Sequence, residues 1–115
     1  MNDTVAYKIL TAGQLETLLG DGIFTGAPID LADGYVHMST AAQVRETLDK
    51  HFAGQTDLAI ATVDIEALGG AVKWEASRGG AMFPHIYAPL PLSAVIAYGP
   101  VRYDDAGALV LPTAG

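Results

Sequence analysis

Helical periodicity is confined to the first 54 residues of this chain, so whatever fold it adopts must be completed by strands. Thr11 precedes Gln14 by three residues, the spacing of a capping box. Leu15, Leu18 and Leu19 follow at helical intervals, and Gly20 is a stop signal. Thr40 and Gln43 repeat the box; Val44, Leu48 and Phe52 then make one apolar stripe, with Glu46 and Lys50 paired on the wet side. These signals predict helices near 12–19 and 41–52. Upstream, Val5, Tyr7 and Ile9 alternate as a first strand, 21–33 reads as a loop, and Tyr35 to Met38 as a short strand. Beyond Gly54 the apolar residues come only in short runs. Leu58 to Val63 reads as a buried strand, Asp64 as the cap of a single turn through Leu68, and 72–75, 84–87 and 94–98 as further strands. A hairpin joining 101–103 to 108–111 is expected around Asp104, Asp105 and Gly107. The fold class is therefore α+β, with two helices packed on small, largely antiparallel sheets. A doubly wound nucleotide fold is not expected, because the second half lacks βα alternation and no glycine-rich phosphate motif is present.

Length and composition narrow the function classes. The 115 residues suit a single domain, 1–115, and half of them are hydrophobic, enough for one core. A formal net charge of −7 repels phosphate backbones, so nucleic acid is not an expected partner. There is no cysteine, which removes disulfides, thiolate metal sites and a cysteine nucleophile. No apolar run approaches the roughly 20 residues of a membrane span, and Met1 to Lys8 shows no secretory signal. The expectation is a soluble cytoplasmic protein whose partner is a small molecule.

Polar functional groups cluster in two segments. In the first, Asp33 to Thr40, His37 ends a strand and Ser39 or Thr40 begins a helix, whose free N–H groups favour a polar ligand. The alternative is that His37 packs at the core edge and the hydroxyls are caps. In the second, Trp74 to Tyr87, strand alternation puts His85 and Tyr87 on one face and Ile86 on the other. Arg78 followed by two glycines suits an anion anchor, and Glu75 a general base or a sugar-hydroxyl acceptor. The alternative there is an Arg78–Glu75 ion pair, with Trp74 and Phe83 as core. His51 reads as a helix-end surface residue, and Tyr7, Tyr35 and Phe24 as core. His37, Glu75 and His85 would also compose a two-histidine, one-carboxylate metal site, although no tight ligand spacing supports one.

These segments resemble the bacterial DUF952 family, a family of unknown function. Its pattern is a histidine followed by a small hydroxyl residue, then Trp-Glu, Ser-Arg-Gly-Gly and Pro-His-x-Tyr. It stands here as His37 with Ser39, Trp74-Glu75, Ser77 to Gly80 and Pro84 to Tyr87, with Ala88 where glycine is expected. The resemblance runs from about Tyr7 to Ile96, leaving 97–111 as a C-terminal hairpin. It implies an ADP-ribosyltransferase-like fold, in which small sheets flank a cleft. It also implies a ligand of the NAD or ADP-ribose class, with transfer or hydrolysis at a glycosidic bond. In that reading Glu75 and His85 are catalytic, and His37, Ser39, Arg78 and Tyr87 bind the ligand. NAD is a substrate rather than a tightly held cofactor. The alternatives are a non-catalytic ligand-sensing or partner-binding module and, third, a metal-dependent enzyme.

Overall fold

The computed structural model describes residues 4–76 and 80–113. The chain is a small α+β fold built on three antiparallel sheets. Strand β1 (Val5–Thr11) leads into α1 (Ala12–Asp21), and Thr11 and Gln14 form the reciprocal capping box that the sequence announces. The helix runs past Gly20 and closes at Gly22, whose φ of 74° is the left-handed cap conformation. Strand β2 (Ile23–Phe24) follows, then a short helix α2 (Pro28–Asp33), β3 (Val36–His37) and α3 (Val44–His51). Strand β4 (Leu58–Asp64) and a 3-10 turn (Glu66–Ala71) lead to β5 (Val72–Ala76) and β6 (Met82–Ile86). The chain then passes through β7 (Leu90–Pro91), a second 3-10 turn (Leu92–Ala94) and β8 (Val95–Pro100).

Two expectations need correction. The segment 21–33 is not all loop, so the two-helix count is one short: α2 begins with Pro28 at its first position, and Asp30 accepts the Ala27 N–H. The helix expected from residue 41 begins at Val44. The Gln43 side chain turns back to the Thr40 N–H and also donates to the Met82 carbonyl. The C-terminal hairpin forms where expected: Tyr103 bridges Leu109, the Val110 N–H donates to the Arg102 carbonyl, and the Asp104 N–H donates to the Ala108 carbonyl, after β8 has paired with β4 through Pro100.

Sheet β1–β4–β8 divides the core. On one side Ala6, Leu10, Ala61 and Val63 join Leu18, Val36, Ile86 and Leu90. On the other, Tyr7, Ile9, Leu58 and Ile60 lie under Val44 and Leu48 of α3. Strand β4 is covered on both faces, which is why it reads as an unbroken apolar run rather than an alternation. The second three-stranded sheet, β3–β6–β5, has two unlike faces. Val36, Ile86, Val72 and Trp74 point into the core. By the period of two, His37, His85, Lys73 and Glu75 share the other face, continued by Tyr35 and Tyr87 just beyond the strand ends. Paired backbone hydrogen bonds between Tyr7 and Ser39 tie this sheet to β1, and the candidate site lies along that junction.

Candidate functional site

Lys8 and Asp30 form the foundation of the site. Lys8 faces the same side of β1 as Ala6 and Leu10 and is 6% exposed; Asp30 is 2% exposed. The Lys8 ammonium reaches both carboxylate oxygens, at 3.0 and 3.2 Å, and the His37 carbonyl at 3.0 Å. Asp30 further accepts the backbone N–H groups of Ala27 and His37. Burial alone would raise the Asp30 pKa. The His37 ring, the Lys8 charge and the two backbone N–H groups outweigh it and hold the carboxyl well below the usual carboxylate range. Burial also pulls the Lys8 ammonium below its ordinary value, opposed by Asp30. Two glycines make this geometry feasible. Gly34, at φ 89°, turns the chain after α2 so that His37 returns onto Asp30. At Gly26 a Cβ would sit 2.9 Å from the Asp30 Cβ.

His37 is held from both ends of its ring. Nδ1 lies 2.6 Å from Asp30 Oδ1, and Nε2 lies 2.9 Å from Asp33 Oδ2. A neutral imidazole has one N–H, so only the imidazolium donates to both carboxylates. The neighbouring histidine is held differently. His85 pairs with His37 across β3 and β6, with ring centroids 5.5 Å apart. Its Nδ1 faces Glu75 Oε1 at 2.8 Å, and the Tyr87 hydroxyl donates to the same oxygen at 2.7 Å. Tyr35 stacks on His85 at 4.1 Å and lies 5.1 Å from the Tyr87 ring. Hydrogen bonds from Tyr87 and then His85 hold Glu75 below its ordinary pKa, and the contact in return pushes Tyr87 up to about 12. Loss of solvent, with the charges of Asp33 and Glu75, raises Tyr35 as well.

Tyr87 provides a direct check on this arrangement. Its phenol should ionise near pH 12, rather than at the ordinary value of about 10. Between those two pH values an unfolded chain sheds the proton before the folded one does. The contact therefore stabilises the fold below pH 10, and its contribution fades as the pH rises towards 12. Following the tyrosine Cζ resonances by NMR should show a ring titrating near pH 12 that is absent from Tyr87→Phe and shifted to lower pH in Glu75→Gln. A Tyr87 that titrates with the exposed tyrosines would contradict the Glu75 contact.

A cleft of about 620 Å³ opens between β1, the starts of α1 and α2, α3 and the edge of β6. Lys8, Asp33, His37, Ser39 and His85 stand in its wall among Ile9, Met38, Phe52 and Phe83. A smaller recess of about 250 Å³ is lined by Tyr35 and Tyr87. Glu75 lines neither and is hydrogen-bonded to His85, which lines the larger one. Of the residues chosen from sequence, the structure links Glu75, His85 and Tyr87 in one network and sets His37 beside it. Ser39 reaches the cleft, but its hydroxyl is hydrogen-bonded to Thr47 Oγ1 at 3.1 Å. Arg78 lies outside the described residues. Tyr35, read as core, belongs to the polar face. Sequence reasoning missed Lys8, Asp30 and Asp33. The signal for Asp30 was present, since Ala27-Pro28-Ile29-Asp30 is a helix start with proline at the first position and an acid at the third. Among the described residues, no group of three His, Cys, Asp or Glu side chains is arranged to hold a metal ion. No helix among them is long and apolar enough to cross a membrane.

With fold and site in view, the chain is placed among known proteins. It belongs to the DUF952 family of proteins of unknown function, whose model matches residues 9–98. It is similar along most of its length to protein CC0527 from Caulobacter crescentus. The crystal structure of that protein is 43% identical over 93% of this chain and 94% of that one, with a TM-score of 0.83. Its solution NMR structure is 44% identical over 91% and 90% of the two chains, with a TM-score of 0.78. No curated protein matches.

Proposed function

We propose that this protein binds a small ligand of the NAD or ADP-ribose class in the 620 Å³ cleft and cleaves or transfers it at a glycosidic bond. The observation that carries this reading is His85, a buried imidazole in the cleft wall with one nitrogen held by a carboxylate. Dissociative glycosidic cleavage builds positive charge on the ribose. A Glu75 kept ionised by Tyr87 would stabilise that charge through His85, and His85 would exchange a proton with the reacting water or acceptor. The finer fold assignment, ADP-ribosyltransferase-like, belongs to the same proposal. It is supported by small sheets bordering a cleft and by a histidine at a strand end with a hydroxyl residue two positions on. Lys8 and His37 are already bonded to carboxylates, so a ligand phosphate would depend on Arg78.

One observation favours a second reading, a ligand-sensing module without turnover. Both ring nitrogens of His37 and the Ser39 hydroxyl are engaged internally, which leaves fewer groups to grip a reacting sugar. Calorimetric titration with NAD and with ADP-ribose, combined with chromatography for released nicotinamide, separates the two. Saturable binding with release supports the enzyme, and saturable binding without release supports the sensor. A folded protein that binds neither compound ends the assignment to this ligand class.

A further inference from the structure

The side chain of His85 is 3% exposed, and among the described residues only its Nδ1 has a hydrogen-bond partner. Nδ1 faces Glu75. Among the described residues nothing donates to or accepts from Nε2, which lies across the ring from that contact. The ring borders the cleft and Glu75 does not. Buried polar atoms are as a rule hydrogen-bonded, so an enclosed nitrogen with no partner among the described residues, on a side chain that lines the cleft, indicates an atom that the cleft receives. Glu75 determines what kind of atom it is. An ionised carboxylate only accepts, so it holds the proton on Nδ1, and in the neutral ring Nε2 then presents a lone pair. Tyr35, stacked on the imidazole at 4.1 Å, fixes the ring plane. The rest of the wall sets the ligand's character. Met38, Phe52 and Phe83 are apolar and Asp33 is an acid; of the basic groups, the Lys8 ammonium is bonded to Asp30, the His37 ring to Asp30 and Asp33, and His51 lies at the α3 end of the wall.

We propose that His85 Nε2 is a hydrogen-bond acceptor for an uncharged, ring-bearing ligand group with an N–H or O–H donor, and that the cleft discriminates against carboxylates at this point. The inference rests on the reading of the cleft as the ligand site and specifies which part of the ligand lies against His85.

Three compounds of one shape test it: benzamide, which has the donor; acetophenone, which lacks it; and benzoate, which carries a charge. Their affinities are measured by NMR titration of the intact protein at pH 8. The expected result is benzamide binding about tenfold more tightly than acetophenone, the worth of one hydrogen bond, with benzoate weakest. The preference should vanish in His85→Phe. Should that variant fail to fold, Glu75→Leu is the second test. Its side chain is at an accessible position, and its loss frees the proton to move to Nε2, which should reduce the benzamide preference. Equal affinities for benzamide and acetophenone, no binding by any of the three, or a preference unchanged in Glu75→Leu would overturn the proposal. A parallel NAD titration keeps the two ideas apart. If NAD fails while the benzamide preference holds, the ligand class above is wrong and the role of His85 stands. If NAD binds and the preference is absent, the reverse follows.

Discussion

Replacing Asp30 by asparagine is expected to cost about 3–5 kcal/mol at pH 7, the usual penalty for removing one partner of a buried ion pair. A domain of this size has only about 5–15 kcal/mol in total, so the variant should melt far below the parent. The cost arises because asparagine keeps the shape and an acceptor for the Ala27 N–H but leaves the Lys8 ammonium enclosed without a counter-charge. It also removes the charge that His37 Nδ1 meets at 2.6 Å. The pH dependence has a definite sign. The folded-state pKa of Asp30 lies below the ordinary 3.8, so on acidification the unfolded chain takes up the proton first. The stabilisation is complete above the carboxylate range, begins to be lost as the pH falls through about 4, and continues to fall below it. Urea denaturation of parent and Asp30→Asn should therefore show a wide gap at pH 7 that narrows by pH 3. Lys8→Met combined with Asp30→Leu should recover part of the loss, because paired apolar replacements relieve the buried charges together. A gap below 1 kcal/mol at pH 7 would mean that the Lys8–Asp30–His37 network does not hold the site in place.

Ile86→Ala should cost about 2–5 kcal/mol, the range for truncating a fully buried aliphatic side chain. Ile86 is 0% exposed and sits on the central strand of its sheet, opposite Val36 on one side and Val72 on the other. It is flanked in sequence by His85 and Tyr87, whose side chains lie on the other face. Ile29→Ala, by contrast, should change stability by no more than about 0.5 kcal/mol, since that residue is 62% exposed. Chemical denaturation of both variants compares a core-facing isoleucine with a solvent-facing one. A loss below about 1 kcal/mol for Ile86→Ala would contradict the core-facing side of that sheet.

How much of this could be read from the sequence depended on whether the signal was local. The Thr11–Gln14 box, the apolar stripe of α3, and the alternation that puts His85 and Tyr87 on one face all lie within a few residues, and the structure shows each of them. Helix α2 was lost because six residues are too few to display a helical period, and the flanking Gly26 and Gly34 suggest a loop. The partnership of Lys8 with Asp30 spans 22 positions, so nothing near either residue announces it. Residue type alone suggests the core for Tyr35, while the family resemblance offers it, with Tyr87, as an aromatic for stacking on a ligand. Which face of β3 turns inward is fixed only by its pairing with β6, a long-range fact. The two histidines were recognised as important, but their different roles were not legible. His37 is enclosed by carboxylates at both nitrogens and His85 at one, and that difference depends on where Asp30, Asp33 and Glu75 arrive in space. The proposed roles of Arg78 and Ser39 rest on the family resemblance, and the Ser39 hydroxyl is committed to Thr47.

Ligand binding at the His85 ring, in the cleft that His37 and His85 border, is the proposal on which the other readings of this protein depend. The most direct measurement is an NMR titration of protein carrying ¹⁵N-labelled histidine, in which the His85 Nε2 resonance is followed as NAD is added. The expected result is a saturable shift of that nitrogen, with smaller changes at His37, and a return towards the free position when a competing ligand displaces NAD. An Nε2 resonance that stays fixed while NAD saturates the protein elsewhere, or throughout a titration in which nothing binds, would contradict it.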